Sequence, residues 1–211
     1  AQGIESVPHI HKNEKYKRAD EYKRAGEADK NKKYIGRAEE VLYRKSGNMP
    51  AWASGGKSDK YWSMCDKYER ANGRLYKTLE FALPKELTLD RQKTLVVSYV
   101  TSLTSNPKLP FSFAIHRGKG TNPHCHIMIS ERVNDAKDRT PEVWFRRYNS
   151  PTSGGAKKTT IMRPRSWLMN ARKSWETHAN RALKQAGSKE RIDCRTLEAQ
   201  GINRIPQIHL G

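Results

Sequence analysis

Two short segments of strict two-residue alternation, joined by a glycine- and proline-marked loop, constrain this chain more than anything else in it. Pro110-Phe111-Ser112-Phe113-Ala114-Ile115-His116 puts Phe111, Phe113 and Ile115 on one face of a strand, and Ser112, Ala114 and His116 on the other. After a turn over 117–123, His124-Cys125-His126-Ile127-Met128-Ile129-Ser130 alternates again. His124 and His126 therefore share a face, and Cys125 points to the opposite, apolar one as core filler. Pairing the segments as a hairpin sets His116 across from the histidine pair. Three neutral imidazoles with an open coordination position suit a catalytic divalent metal. A lone histidine on a hairpin is ordinarily a surface or core residue. Three on one face favour the metal.

Charge then narrows the partner. The 211 residues carry 41 Lys and Arg against 22 Asp and Glu, a formal net charge of +19. Such an excess favours a polyanion, because each neutralised phosphate releases counterions. Five Trp and nine Tyr are available to stack on bases. Cys65, Cys125 and Cys194 form no CxxC pair and no even-numbered framework, so they read as reduced thiols of a cytoplasmic protein. No apolar run reaches the length of a membrane span and no signal peptide opens the chain. The length suits one domain with a substantial core. A first residue of Ala1 reads as processed, trimmed or excised from something longer.

The remaining elements follow from periodicity and punctuation. Residues 12–45 are densely charged with mixed sign and read as exposed helix. Tyr61, Met64, Cys65, Tyr68 and Ala71 keep helical spacing up to a stop at Asn72-Gly73. Arg74 to Leu83 reads as a strand with Glu80 on its less apolar face, where a carboxylate can orient a metal ligand or accept a proton. Thr88 is placed to cap a helix bearing Leu95, Val96, Tyr99, Val100 and Leu103. A basic stretch with Arg146, Arg147, Lys157, Lys158, Arg163 and Arg165 surrounds a Ser/Pro/Gly loop. A last helix carries Trp167, Ala171, Trp175, Ala179 and Ala182 as far as Gly187, and a loop-like tail follows. Hairpins with interspersed helices predict an α+β fold with an antiparallel sheet and helices on one face.

A basic protein with a three-histidine site suggests phosphodiester chemistry. At that point the residues carry a resemblance. Glu39–Tyr43, Ser46–Pro50, Tyr68–Arg74, Glu80–Pro84, Ala114–His116, Asn122–Arg132, Trp144–Asn149, His178–Leu183 and Arg195–Gly201 occur in the order found in the MobA/MobL-type conjugative relaxases. The chain resembles that family over most of residues 39–211. The resemblance implies an antiparallel sheet of about five strands flanked by helices. It also implies that 1–211 is a single relaxase domain of a longer bacterial protein. The activity implied is metal-dependent nicking at a plasmid origin of transfer, with the DNA 5′ phosphate left covalently on the protein. The three metal ligands map onto His116, His124 and His126, and the acidic companion onto Glu80. The metal implied is Mn²⁺ or Mg²⁺, with Zn²⁺ as an alternative. The partners are single-stranded or hairpin origin DNA, held by the basic stretch, and accessory mobilisation proteins.

Residues 1–38 depart from the family pattern, which opens with a strand and a nucleophilic tyrosine. The best local match puts His9 at that position, and Tyr16, Tyr22 and Tyr34 are rival attacking groups. Two other readings compete: a DNA-binding protein without strand transfer, and a metal nuclease that uses water.

Overall fold

The computed structural model describes residues 41–55, 57–117 and 122–204. Four strands, β1 (Val41–Gly47), β2 (Lys77–Ala82), β3 (Phe111–His116) and β4 (His124–Ile129), form one antiparallel sheet in the order β1-β3-β4-β2. The helices are α1 (Ser58–Tyr68), α2 (Leu89–Thr104), α3 (Pro141–Phe145) and α4 (Arg165–Gln185), with short 3₁₀ turns at Ala51–Ala53 and Glu198–Gln200. The α+β class agrees with the sequence reading. The described residues contain four strands where about five were expected.

Alternation along the strands divides the sheet into two unlike faces. Leu79, Phe81, Phe113, Ile115, Cys125, Ile127 and Ile129 pack in one core with Leu95, Val96, Tyr99 and Val100 of α2 and Trp175, Ala179 and Leu183 of α4. The α4 stripe Ala171, Trp175, Ala179 and Leu183 recurs every four residues, which keeps it on one side of the helix. Trp175 lies 4.3 Å from Phe81 and 5.1 Å from Tyr99, centroid to centroid. Deleting such a buried indole typically costs about 3–5 kcal/mol. Thr88 caps α2, its hydroxyl accepting from the Arg91 amide at 3.5 Å.

Among the described residues, the second face is covered only at one end. There Tyr61, Trp62, Trp144 and Phe145 of α1 and α3 form a smaller aromatic core. The Trp62 indole donates to Ser112 Oγ at 2.9 Å, and the Tyr61 hydroxyl donates to Ser130 Oγ at 2.8 Å. Helices therefore lie on both faces, not on one as the pattern predicts. The small polar residues Ser112 and Ser130 supply acceptors that let α1 settle there.

Three boundaries differ from expectation. Residues 41–45, expected to be helical, belong to β1: their backbone pairs with β3, and Leu42 and Tyr43 pack against the main core. Helix α1 stops at Tyr68 and not at Ala71, because Glu69 turns into an extended conformation with its carboxylate on Arg132. Strand β2 begins at Lys77 and not at Arg74, since its last partner on β4 is Ile129.

Candidate active site

The open end of the second face holds the histidines. His116 and His124 are direct register partners at the mouth of the β3–β4 hairpin, and one row inward Ala114 faces His126, which faces Glu80 on β2. The three imidazole centroids lie 4.9–5.4 Å apart, with His116 stacked on His124 and His126 edge-on to both. Donor atoms of Glu80, His124 and His126 all fall within 4.8 Å of one another. Cys125 points into the core between these histidines, where burial pushes its thiol well above the usual cysteine range.

Local contacts set the orientation of each group. The His124 Nδ1–H donates to the Asn122 carbonyl at 3.1 Å, which fixes the tautomer and leaves Nε2 with its lone pair directed outward. Glu80 Oε2 lies 3.6 Å from His126 Nδ1, longer than a formed hydrogen bond but close enough to bias that ring electrostatically. Both side chains are nearly half exposed, 43% for Glu80 and 47% for His126, so solvent and substrate reach them. Neutral imidazole nitrogens with a flanking carboxylate are a donor set that fits a divalent ion such as Mn²⁺ or Zn²⁺.

Beside the histidines runs a cleft of about 390 Å³, bounded by Arg44, Ser112, Ala114, His126, Met128 and Trp62 among others. Arg44, Ala114 and His126 are successive partners on β1, β3 and β4, and Ser46, Ser112 and Met128 are the next such row, so two rows of the sheet line the cleft. Sequence reasoning did not find Arg44, because its segment was assigned to a helix.

The basic stretch is more varied than its composition suggests. Arg147 and Arg165 are exposed, Arg146 pairs with Glu142, and Lys157 lies 5.8 Å over the Tyr148 ring. Lys158 is only 19% exposed and pairs with Glu69 at 2.9 Å, while Arg163 lies 3.9 Å from Glu131. The candidate nucleophiles His9, Tyr16, Tyr22 and Tyr34 lie outside the described residues. No helix among the described residues is long and apolar enough to cross a membrane.

Periodicity also gave no sign of a buried ionic hub at the far end of the sheet. Arg132, 4% exposed, binds both carboxylate oxygens of Glu69 at 2.9 and 3.1 Å. Its remaining N–H groups donate to the carbonyls of Trp144, Phe145, Arg146 and Ala156. Those carbonyls include the C-terminal end of α3, which a helix cannot satisfy internally. Gly155 makes this cage possible: a Cβ there would come within 2.0 Å of the Arg146 carbonyl oxygen. Burial pushes the Glu69 carboxyl up, but Arg132 and Lys158 outweigh it and hold it below the ordinary range. Burial beside the Arg132 charge lowers the Lys158 ammonium despite its contact with Glu69.

A family model described as the MobA/MobL family matches residues 12–211. The chain belongs to the MobA/MobL family. It is 53% identical over 181 residues to "Mobilization protein A" of Escherichia coli, an alignment covering 85% of this chain and 25% of that protein. It is 36% identical over 176 residues to the "43 kDa relaxation protein" of Salmonella typhimurium, covering 78% of this chain and 47% of that one. The chain thus spans a quarter to a half of these curated relatives. Among solved structures, a chain described as "Molecular Basis of Vancomycin Resistance Transfer in Staphylococcus aureus" shares the fold. Its TM-score is 0.57 at 20% identity, over 74% of this chain and 76% of that one.

Proposed function

We propose that this MobA/MobL domain is a metal-dependent DNA transesterase that nicks one strand of a plasmid transfer origin and retains the 5′ phosphate covalently. The supporting observation is the convergence of the His116, His124 and His126 rings, with the Glu80 carboxylate joining the donor atoms of His124 and His126, beside a cleft on a +19 chain. A divalent ion held by the three imidazoles would supply Lewis-acid polarisation of the scissile phosphate. The rest is the work of this chain's own side chains. Glu80 orients His126, the Asn122 carbonyl orients His124, and the cleft floor with Arg44 receives the strand next to the scissile bond.

In the reaction a protein nucleophile, from among His9, Tyr16, Tyr22 and Tyr34, bonds to phosphorus. The O3′–P bond breaks and the leaving oxygen takes a proton to become a 3′-hydroxyl. The attacking group gives up its proton, and the products are a 3′-OH end and a covalent protein–phosphate link, an ester if a tyrosine attacks and a phosphoramidate if His9 does, that later rejoining can reverse. The physiological setting would be the bacterial cytoplasm, with origin DNA and accessory mobilisation proteins as partners.

A denaturing gel with labelled single-stranded origin DNA and Mn²⁺ or Mg²⁺ tests this reading. A band that migrates with the protein, lost on single replacement of one of the four candidate nucleophiles, is the expected result. Cleavage that releases a free 5′ phosphate with no adduct would identify a water-using nuclease. Binding without cleavage under either metal would identify a DNA-binding protein.

A further inference from the structure

Beyond the histidine cleft, the far end of the sheet holds a second array of cations, built differently from the rest of the basic surface. Glu131 is buried, its side chain 3% exposed, yet its carboxylate faces cations that are themselves half exposed. Arg74 takes both of its oxygens, Nε at 3.0 Å and Nη2 at 3.2 Å, and Arg163 approaches within 3.9 Å. Both arginine side chains are 48% exposed, so each keeps guanidinium N–H groups toward solvent after engaging Glu131. The Lys158 ammonium ties the array together, binding Glu69 and also donating to the Arg74 carbonyl at 2.8 Å. Two buried carboxylates thus gather four cationic side chains, binding Arg74, Arg132 and Lys158 directly and Arg163 at 3.9 Å, which leaves a local excess of positive charge.

A solubility surface gains nothing from such fixation, since freely moving lysines serve it as well. Rigid guanidinium forks suit a planar or tetrahedral oxyanion, which they bind bidentately with little loss of side-chain entropy. Glu131 lies just past the end of β4 (His124–Ile129), at the opposite end of that strand from His124 and His126.

We infer that Arg74 and Arg163, drawn together by the buried Glu131, form a phosphate clamp for single-stranded DNA, separate from the scissile position at the histidines. The inference rests on the reading of this domain as a DNA transesterase, but the clamp needs no metal. Glu131 acts here as a positioning residue, and that gives it an unusual signature. Glu131→Gln raises the net charge by one, so a purely electrostatic surface would bind DNA more tightly after the change. A positioned clamp would bind it less tightly.

Fluorescence anisotropy with labelled (dT)20 in EDTA, over a salt series, decides between them. Arg163→Gln, which leaves the bidentate Arg74–Glu131 pair intact, should lower the slope of log K against log salt by about 0.7 per lost contact. Glu131→Gln should weaken binding several-fold and lower the slope as well. Lys184→Gln, which removes one exposed charge from the last turn of α4, should leave the slope unchanged. Tighter or unchanged binding by Glu131→Gln, with Arg163→Gln like the parent, overturns the clamp. An equal loss in Lys184→Gln also overturns it, in favour of a diffuse field. Because the assay omits metal, a failure of nicking in the gel experiment would leave this result standing, and the reverse holds too.

Discussion

The two ends of the sheet treat their polar groups in opposite ways. At one end the buried Arg132 is saturated: the guanidinium has an acceptor for each N–H, and the carbonyls it meets belong to backbone that must stay in place. At the histidine end, nitrogens and a carboxylate sit nearly half exposed at distances just too long for tight bonding to one another. The first arrangement resists rearrangement and the second invites a ligand. Saturation at Arg132 therefore marks scaffold, and incomplete saturation, at the histidines and at the neighbouring Arg74 and Arg163, marks where a ligand is expected.

The contrast can be broken most directly by mutating each end and measuring both properties. His124→Ala with His126→Ala should abolish metal-dependent nicking of origin DNA, while the urea midpoint moves by less than about 0.5 kcal/mol in stability. Arg132→Met should do the opposite to the scaffold, costing about 3–5 kcal/mol by leaving Glu69 incompletely paired. A histidine variant that unfolds, or an Arg132 variant as stable as the parent, would erase the distinction. Smaller effects sharpen it. Mn²⁺ at a hundred times its dissociation constant should stabilise the parent by about 2.7 kcal/mol and leave the double-histidine variant unmoved, as read by thermal denaturation. Glu80→Gln should weaken metal affinity about 10- to 100-fold by isothermal titration, the usual cost of losing an outer-shell partner. The smallest effect is the pH dependence of the hub. Glu69 ionises below its ordinary range, so its contribution is complete above about pH 4.3 and fades as pH falls through the lower native value. Urea midpoints between pH 6 and pH 3 should fall with acidification, and less steeply in Glu69→Gln.

What could be foreseen followed the kind of signal each part emits. The histidine hairpin was legible because alternation is a local property, and the paired register of His116 with His124 needs only a tight connection. The apolar stripes of α2 and α4 were legible for the same reason, since their period survives without knowledge of what covers them. Strand β1 was hidden because Arg44 and Lys45 continue a charged run, and only pairing with β3 makes a strand of it. The hub was hidden because Glu69 and Arg132 are 63 residues apart and each resembles an ordinary surface charge. Long-range ionic pairing leaves no periodic trace. The cleft beside His126 was likewise illegible, as it depends on where α1 comes to rest against Ser112.

The sheet order itself has a further consequence. The two histidine strands, β3 and β4, are interior and each is bonded on both edges. A slip of one residue would exchange the histidine row for the apolar row and drive imidazoles into the space of Ile115 and Ile127. Partial melting of the sheet therefore cannot leave a weakened version of the proposed metal site; it leaves none. Loss of bound ion and loss of strand structure should then coincide in one denaturation transition, and the ion becomes a spectroscopic reporter on the integrity of the whole sheet.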